Sequence, residues 1–163
     1  MADKDKCNLD EFKKKYEALR KKHGLPSFSE LAEDFNIERA SDIETDYPIR
    51  EIRKFIADKM FNYLRFVEAL LNPSNVPMYV FSIVKTLGAD EKKKLSEIYA
   101  ELAKLEMEIM EIDLNFSEKG ESDFIKSSFK AWQAMKKDLL KIVGTVKKNW
   151  DSKSETEKKG YFG

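Results

Sequence analysis

Between Pro48 and Asn72 apolar side chains recur every three or four positions: Ile49, Ile52, Phe55, Ile56, Met60, Phe61, Tyr63, Leu64, Phe66, Val67, Leu70 and Leu71. Wound at the helical angle of about 100° per residue, they cover about two-thirds of the circumference. A helix this apolar must be covered on several sides, as at the centre of a bundle. Proline at the first helical position lacks only an N–H that has no helical acceptor there, so the helix is predicted to start at Pro48. Asn72-Pro73 stops it, because proline removes a helical hydrogen bond and restricts the residue before it.

The remaining pattern reads as helices of unequal length. Asn8 and Glu11 have capping-box spacing, and Leu9, Phe12, Tyr16 and Leu19 continue as one narrow apolar stripe. Gly24 and Pro26 end it, with Arg20, Lys21, Lys22 and His23 favourably placed at the negative end of the helix dipole. Ser27 and Glu30 repeat the capping box in its serine form and open a short helix through Phe28, Leu31 and Phe35. Residues 37–47 are irregular, with room for a turn of helix around Arg39 to Asp42. The run VPMYVFSIVKTLG, 76–88, has strand-like residues but no second strand to pair with, so a short buried helix from Met78 to Leu87 is expected. A long helix follows from Ala89 or Asp90 to about Asn115. SEKGES, 117–122, then reads as a turn around Gly120, short enough to make its flanking helices antiparallel. A last helix runs from about Asp123 to Asp151, with Phe124, Phe129, Trp132 and Trp150 on its core side. The expected fold is all-α, an antiparallel helical bundle of three long helices with two or three short N-terminal and connecting helices. It places a flexible segment at 1–7, one bundle domain at 8–151 and a mobile tail at 152–163.

Composition narrows the function classes. With 163 residues, 42% of them hydrophobic, the chain can bury a core without disulfides. Thirty basic residues balance thirty acidic ones, so no global field draws the protein to nucleic acid or to an anionic membrane. Cys7 is the single cysteine, no apolar run approaches a membrane span, and the first residues lack the apolar region of a signal peptide. A cytoplasmic location without membrane contact is expected.

The runs HGLPSFSELAEDFNIE and YPIREIRKFIADKM, together with the tryptophan-bearing last helix, resemble a family of small uncharacterised all-helical archaeal proteins with no assigned activity. The resemblance implies an intracellular protein and brings no catalytic residues.

Candidate chemistry is sparse. Glu-x-x-His pairs, phosphate-binding glycine loops and Cys or His clusters do not occur, so no catalytic residue, metal site or cofactor is assigned. Arg53 and Lys59 intrude on the apolar arc of the central helix, Lys136 on that of the last helix, and Glu106 and Asp113 on that of the helix between. Buried charges are costly unless paired, so these five are predicted to form an internal ionic cluster, with Glu106 meeting Lys136 or Arg53. Lys126, Lys130, Lys137, Lys141 and Lys148 make a basic stripe along the last helix, expected to lie beside the acidic excess of the preceding helix. Three functions remain open. The first is a non-enzymatic helical protein acting through contacts with another protein or with itself, for which surplus apolar surface at Phe55, Phe61 and Phe66 offers an interface. The second is a nucleic-acid-associated accessory protein using the lysine stripe, and the third an enzyme using Glu106 and Asp113.

Overall fold

The computed structural model describes residues 2–160, with side chains described over 8–149 apart from Asn75. The expectations for Trp150 and for the end of the tail lie outside the described residues. Six α-helices follow in order: α1 (Ala2–His23), α2 (Phe28–Phe35), α3 (Pro48–Leu71), α4 (Met78–Val84), α5 (Ala89–Leu114) and α6 (Glu118–Gly160). Short 3₁₀ segments occupy Ile37–Asp42 and Pro73–Asn75. No strand occurs among the described residues, and the fold is an all-α helical bundle. Its chain divides into two compact units, Met1–Asn62 with Lys104–Ala131 and Tyr63–Ala103 with Trp132–Gly163. Helices α3, α5 and α6 contribute residues to both.

The first unit is built on helix ends that the sequence specifies. Gly24 closes α1 in the left-handed conformation, φ 66°, its N–H donating to the Arg20 carbonyl at 2.8 Å. The capping box at α2 is complete. Ser27 Oγ accepts from the Glu30 N–H at 3.3 Å, and the Glu30 carboxylate accepts from the Ser27 N–H at 2.8 Å. Asn36, φ 53°, ends α2 in the left-handed conformation, which its short polar side chain tolerates better than most. Tyr16 of α1 is fully buried, donates its hydroxyl proton to the Pro26 carbonyl at 2.6 Å and meets the Phe28 ring edge-on. Burial disfavours its phenolate and pushes its pKa well above the usual value. Ile49, Ile52, Ile56 and Met60 of α3 are buried, as are Leu105 and Ile109 of α5 and Phe124 and Ile125 of α6.

In the second unit Leu64, Val67 and Leu70 of α3 are buried, with Leu95, Ile98 and Leu102 of α5 and Met135, Leu139 and Ile142 of α6. Tyr63 and Trp132 pack edge to face at 5.0 Å. Lys94, early in α5, reaches Asp138, midway along α6, at 3.4 Å, and Asn149 Nδ2, further along α6, donates to the Thr86 carbonyl just before α5 at 3.1 Å. The two helices are therefore antiparallel.

Several boundaries and faces differ from expectation. The first helix starts at Ala2 rather than Asn8, since nothing in ADKDKC breaks a helix. At the other end α6 runs on to Gly160 rather than Asp151, because loss of apolar periodicity removes a reason for burial but not for helix. Gly120 is not a turn centre: Ser117 caps α6, its Oγ accepting from the Gly120 N–H at 3.0 Å, so the helix opens at Glu118. The short helix α4 forms where expected but is not a buried helix. Val80 is its one buried residue, while Met78 and Tyr79 point to solvent. A helix of two turns buries one narrow face, and this one has no charge to show which side faces out.

Candidate functional site

The most deeply buried charges lie in the first unit. Arg53 sits on the core side of α3 between Ile52 and Ile56, and Glu121 in the first turn of α6 is fully buried. Arg53 Nε lies 2.5 Å from Glu121 Oε2, and Arg53 Nη2 donates to Asp113 Oδ1 of α5 at 2.7 Å. Arg50, one turn earlier, brings its Nε to 3.5 Å from the other Glu121 oxygen. Its guanidinium stacks on Phe116 at 4.1 Å and faces Tyr47 at 5.8 Å. Short as the Arg53–Glu121 contact is, its N–H is not aligned for a hydrogen bond, and neither Glu121 oxygen accepts one. The pair is therefore Coulombic, two guanidinium groups compensating one buried carboxylate. The nearby hydroxyls are committed to their own helix: Ser122 donates to the Glu118 carbonyl at 2.7 Å and Ser128 to that of Phe124 at 2.5 Å. This arrangement fixes helices and holds no reactive group facing a cleft.

Of the five residues predicted to form the ionic cluster, the structure joins Arg53 and Asp113. Lys59 instead donates to the Asp34 carbonyl and lies 5.6 Å over the Phe35 ring. Glu106 and Lys136 are each half-buried, and the carboxylates on Arg53 are those of Asp113 and Glu121, not Glu106. Glu121 is hidden in the sequence because SEKGES has the composition of a turn. Had Ser117 been read as the cap, Glu121 would have fallen on the same face as Ile125 and Ser128, both fully buried.

The lysine stripe is solvated. Lys130, Lys137, Lys141 and Lys148 are exposed and Lys126 is half-buried. Two of the five are met by aspartates three residues earlier on α6 itself: Lys126 by Asp123 at 2.8 Å and Lys141 by Asp138 at 4.0 Å. The hydrogen bond from Lys126 holds the Asp123 carboxyl below its usual range. Where α5 and α6 pair in the second unit, the cation is Lys94 of α5 and the acid Asp138 of α6, the reverse of the expected sense.

His23 is not a simple dipole partner. Its Nε2 lies 2.6 Å from Glu118 Oε1, and Lys22 Nζ reaches the same oxygen at 2.8 Å, tying the end of α1 to the start of α6. Hydrogen bonds from Lys22 and then His23 lower the pKa of Glu118.

Exposed apolar surface coincides with the expectation at Phe66 alone of the three phenylalanines. Phe55 and Phe61 are half-buried, and Phe66 is exposed. In the first unit the larger exposure is on α5, where Met107, Met110 and Leu114 are 65%, 51% and 90% accessible. Their spacing of three and four puts them on one side of the helix. Beside them runs a groove of about 430 Å³ between α5 and α6, with Ile112 and Phe124 in its lining and Glu108, Glu111 and Asp123 on it. A wider depression of about 700 Å³, between α1 and residues 41–48, is lined by Glu11, Asp42, Glu44 and Asp46 among others. Among the described residues no group of acids, histidines or cysteines is arranged to hold a metal ion, and no helix is long and apolar enough to cross a membrane.

Comparison of the chain with protein-family models, curated proteins and solved structures gives no match.

Proposed function

We propose that the protein is a non-enzymatic cytoplasmic helical protein that works through protein–protein contacts. One observation carries this reading: the stripe of Met107, Met110 and Leu114, set on a regular helix whose opposite side is buried through Leu105 and Ile109. Isolated exposed apolar residues are ordinary, but three in helical register form a contiguous strip suited to burial by a partner. Withdrawing such a side chain from water is worth about 1.5–3 kcal/mol when burial is complete. Against the enzymatic reading, Asp113 serves as a ligand of Arg53 rather than one of two carboxylates flanking a cleft.

The test is a photo-crosslinking side chain introduced at Leu114 and activated in living cells. A discrete protein adduct that disappears when Met107 and Met110 become serine is expected. If irradiation gives no adduct beyond that of a control site on the solvent face of α1, such as Lys14, the reading is wrong.

A further inference from the structure

The charges around the stripe say what kind of partner fits it. Viewed down α5, Glu108 and Glu111 fall on one side of Met107 and Leu114, while Glu106 and Asp113 fall on the other. The groove beyond Glu108 and Glu111 adds Asp123 from α6. Lys104 is the one cation of α5 within this stretch, and it lies 3.9 Å from Glu108. The apolar strip is thus bordered by acids on both flanks. Asp113 is paired with Arg53, Asp123 with Lys126 and Glu108 loosely with Lys104, so the border charge offered to a partner comes chiefly from Glu111 on one side and Glu106 on the other.

That pattern disfavours several occupants. A second copy docking through the same strip would set acidic borders against acidic borders, and a nucleic-acid backbone or an anionic lipid surface would meet the same repulsion. A helix with apolar residues at the same spacing and lysines or arginines on both sides would satisfy the strip and its borders together. From Met107 to Leu114 is about 10 Å, two helical turns, enough to seat anchors at positions i, i+3 or i+4, and i+7 of a partner helix. Two of the three anchors are methionines, whose flexible, polarizable side chains accommodate differing apolar shapes.

We infer that the α5 face formed by Met107, Met110 and Leu114, with Glu108 and Glu111 beside it, docks a cationic amphipathic helix of another protein. This rests on the protein-contact reading and specifies the partner's chemistry.

The probe is a fluorescein-labelled amphipathic peptide of leucine and lysine, titrated by anisotropy against the full chain, with a leucine–glutamate peptide of the same pattern and a scrambled leucine–lysine peptide beside it. The patterned basic peptide is expected to bind at least about tenfold more tightly than either control, because apolar anchors and charges must fit together. Replacing Met107, Met110 and Leu114 with serine should weaken it by at least about tenfold while the circular dichroism spectrum and Tm stay unchanged. Glu108→Gln with Glu111→Gln should flatten the salt dependence. Binding by the serine variant equal to wild type, equal affinity for the acidic or scrambled peptide, or no binding of the patterned peptide would each overturn the inference. So would a monomer–dimer equilibrium in sedimentation that the serine variant abolishes, since the occupant would then be a second copy. If the crosslink from Leu114 forms in cells while the basic peptide fails to bind, the partner chemistry is wrong and the protein-contact reading stands. If both fail, both are wrong.

Discussion

Replacing Glu121 with leucine tests whether the Arg53 cluster is held by charge compensation. The substitution leaves the Arg53 guanidinium buried, with Asp113, itself 58% exposed at the side chain, as its remaining acid. A buried charge deprived of its partner costs about 3–5 kcal/mol. The surviving contact to a solvated carboxylate offsets up to about 1 kcal/mol of that, the scale of exposed pairs. Glu121→Leu should therefore cost about 2–4 kcal/mol. Arg53→Met strands Glu121, whose oxygens accept no hydrogen bond, with Arg50 at 3.5 Å as the nearest remaining compensation, and should cost about 3–5 kcal/mol. The double variant removes both charges from the interior and should lie within about 1 kcal/mol of wild type, because two apolar groups of similar shape need no compensation. Asp113→Asn, acting at an exposed group, should cost less than about 1 kcal/mol. Urea unfolding of the four variants supplies the free energies, and the cycle isolates the coupling. A loss below about 1 kcal/mol for Glu121→Leu, or a double variant as unstable as the two singles summed, would refute a Coulombic pair at this position.

Other perturbations read different parts of the fold. Val67 is fully buried and Leu64 nearly so on α3, so alanine at either position should cost about 2–4 kcal/mol in the same assay, and losses below about 1 kcal/mol at both would mean that this face is not core. Glu30, Glu118 and Asp123 all have carboxyl pKa values lowered in the folded chain, by hydrogen bonds from Ser27, from Lys22 and His23, and from Lys126 respectively. Their stabilisation is thus complete above the unfolded carboxyl range near pH 4 and is lost as the pH falls through the lower folded values. The urea midpoint should decline on acidification below about pH 5, less steeply in Glu118→Gln, and a midpoint that rises would contradict the pairings. A Cβ at Gly24 meets nothing within 4 Å, so Gly24→Ala should lose only what its φ of +66° imposes, about 1 kcal/mol, and no loss at all would mean that the left-handed cap is not needed.

Legibility followed locality. The bounds of α3 were written in Pro48 and Pro73, and the cap of α2 in Ser27 and Glu30, because the groups that satisfy those backbone ends lie within four residues of them. Arg53 and Asp113 were legible as charges on apolar faces, since helical periodicity alone shows the intrusion. Their shared partner was not. Whether Glu121 is buried depends on a guanidinium 68 positions away, and whether Gly120 breaks a helix depends on the Ser117 hydroxyl that closes over it. On α4 an uncharged run carried no sign of which face would be covered. On α5 the apolar periodicity shows a helix but not which apolar residues it leaves outside: Met107, Met110 and Leu114 emerge on the exposed side.

The interleaving of the two compact units sets an order on the newborn chain. The first unit is made of two stretches, ending at Asn62 and at Ala131, so at the ribosome its opening helices exist before the segment that completes them. At about 5–20 residues per second the delay is on the order of 3–14 s. Through most of that interval Arg53 exists and Glu121 has not yet been synthesised, while Ile49, Ile52 and Ile56 await their final covering. A fragment cut at Asn62 would hold the chain permanently in that condition, and a stop codon anywhere before Asp113 would leave the nascent helix α3 carrying a cation among its apolar residues without either of its acids.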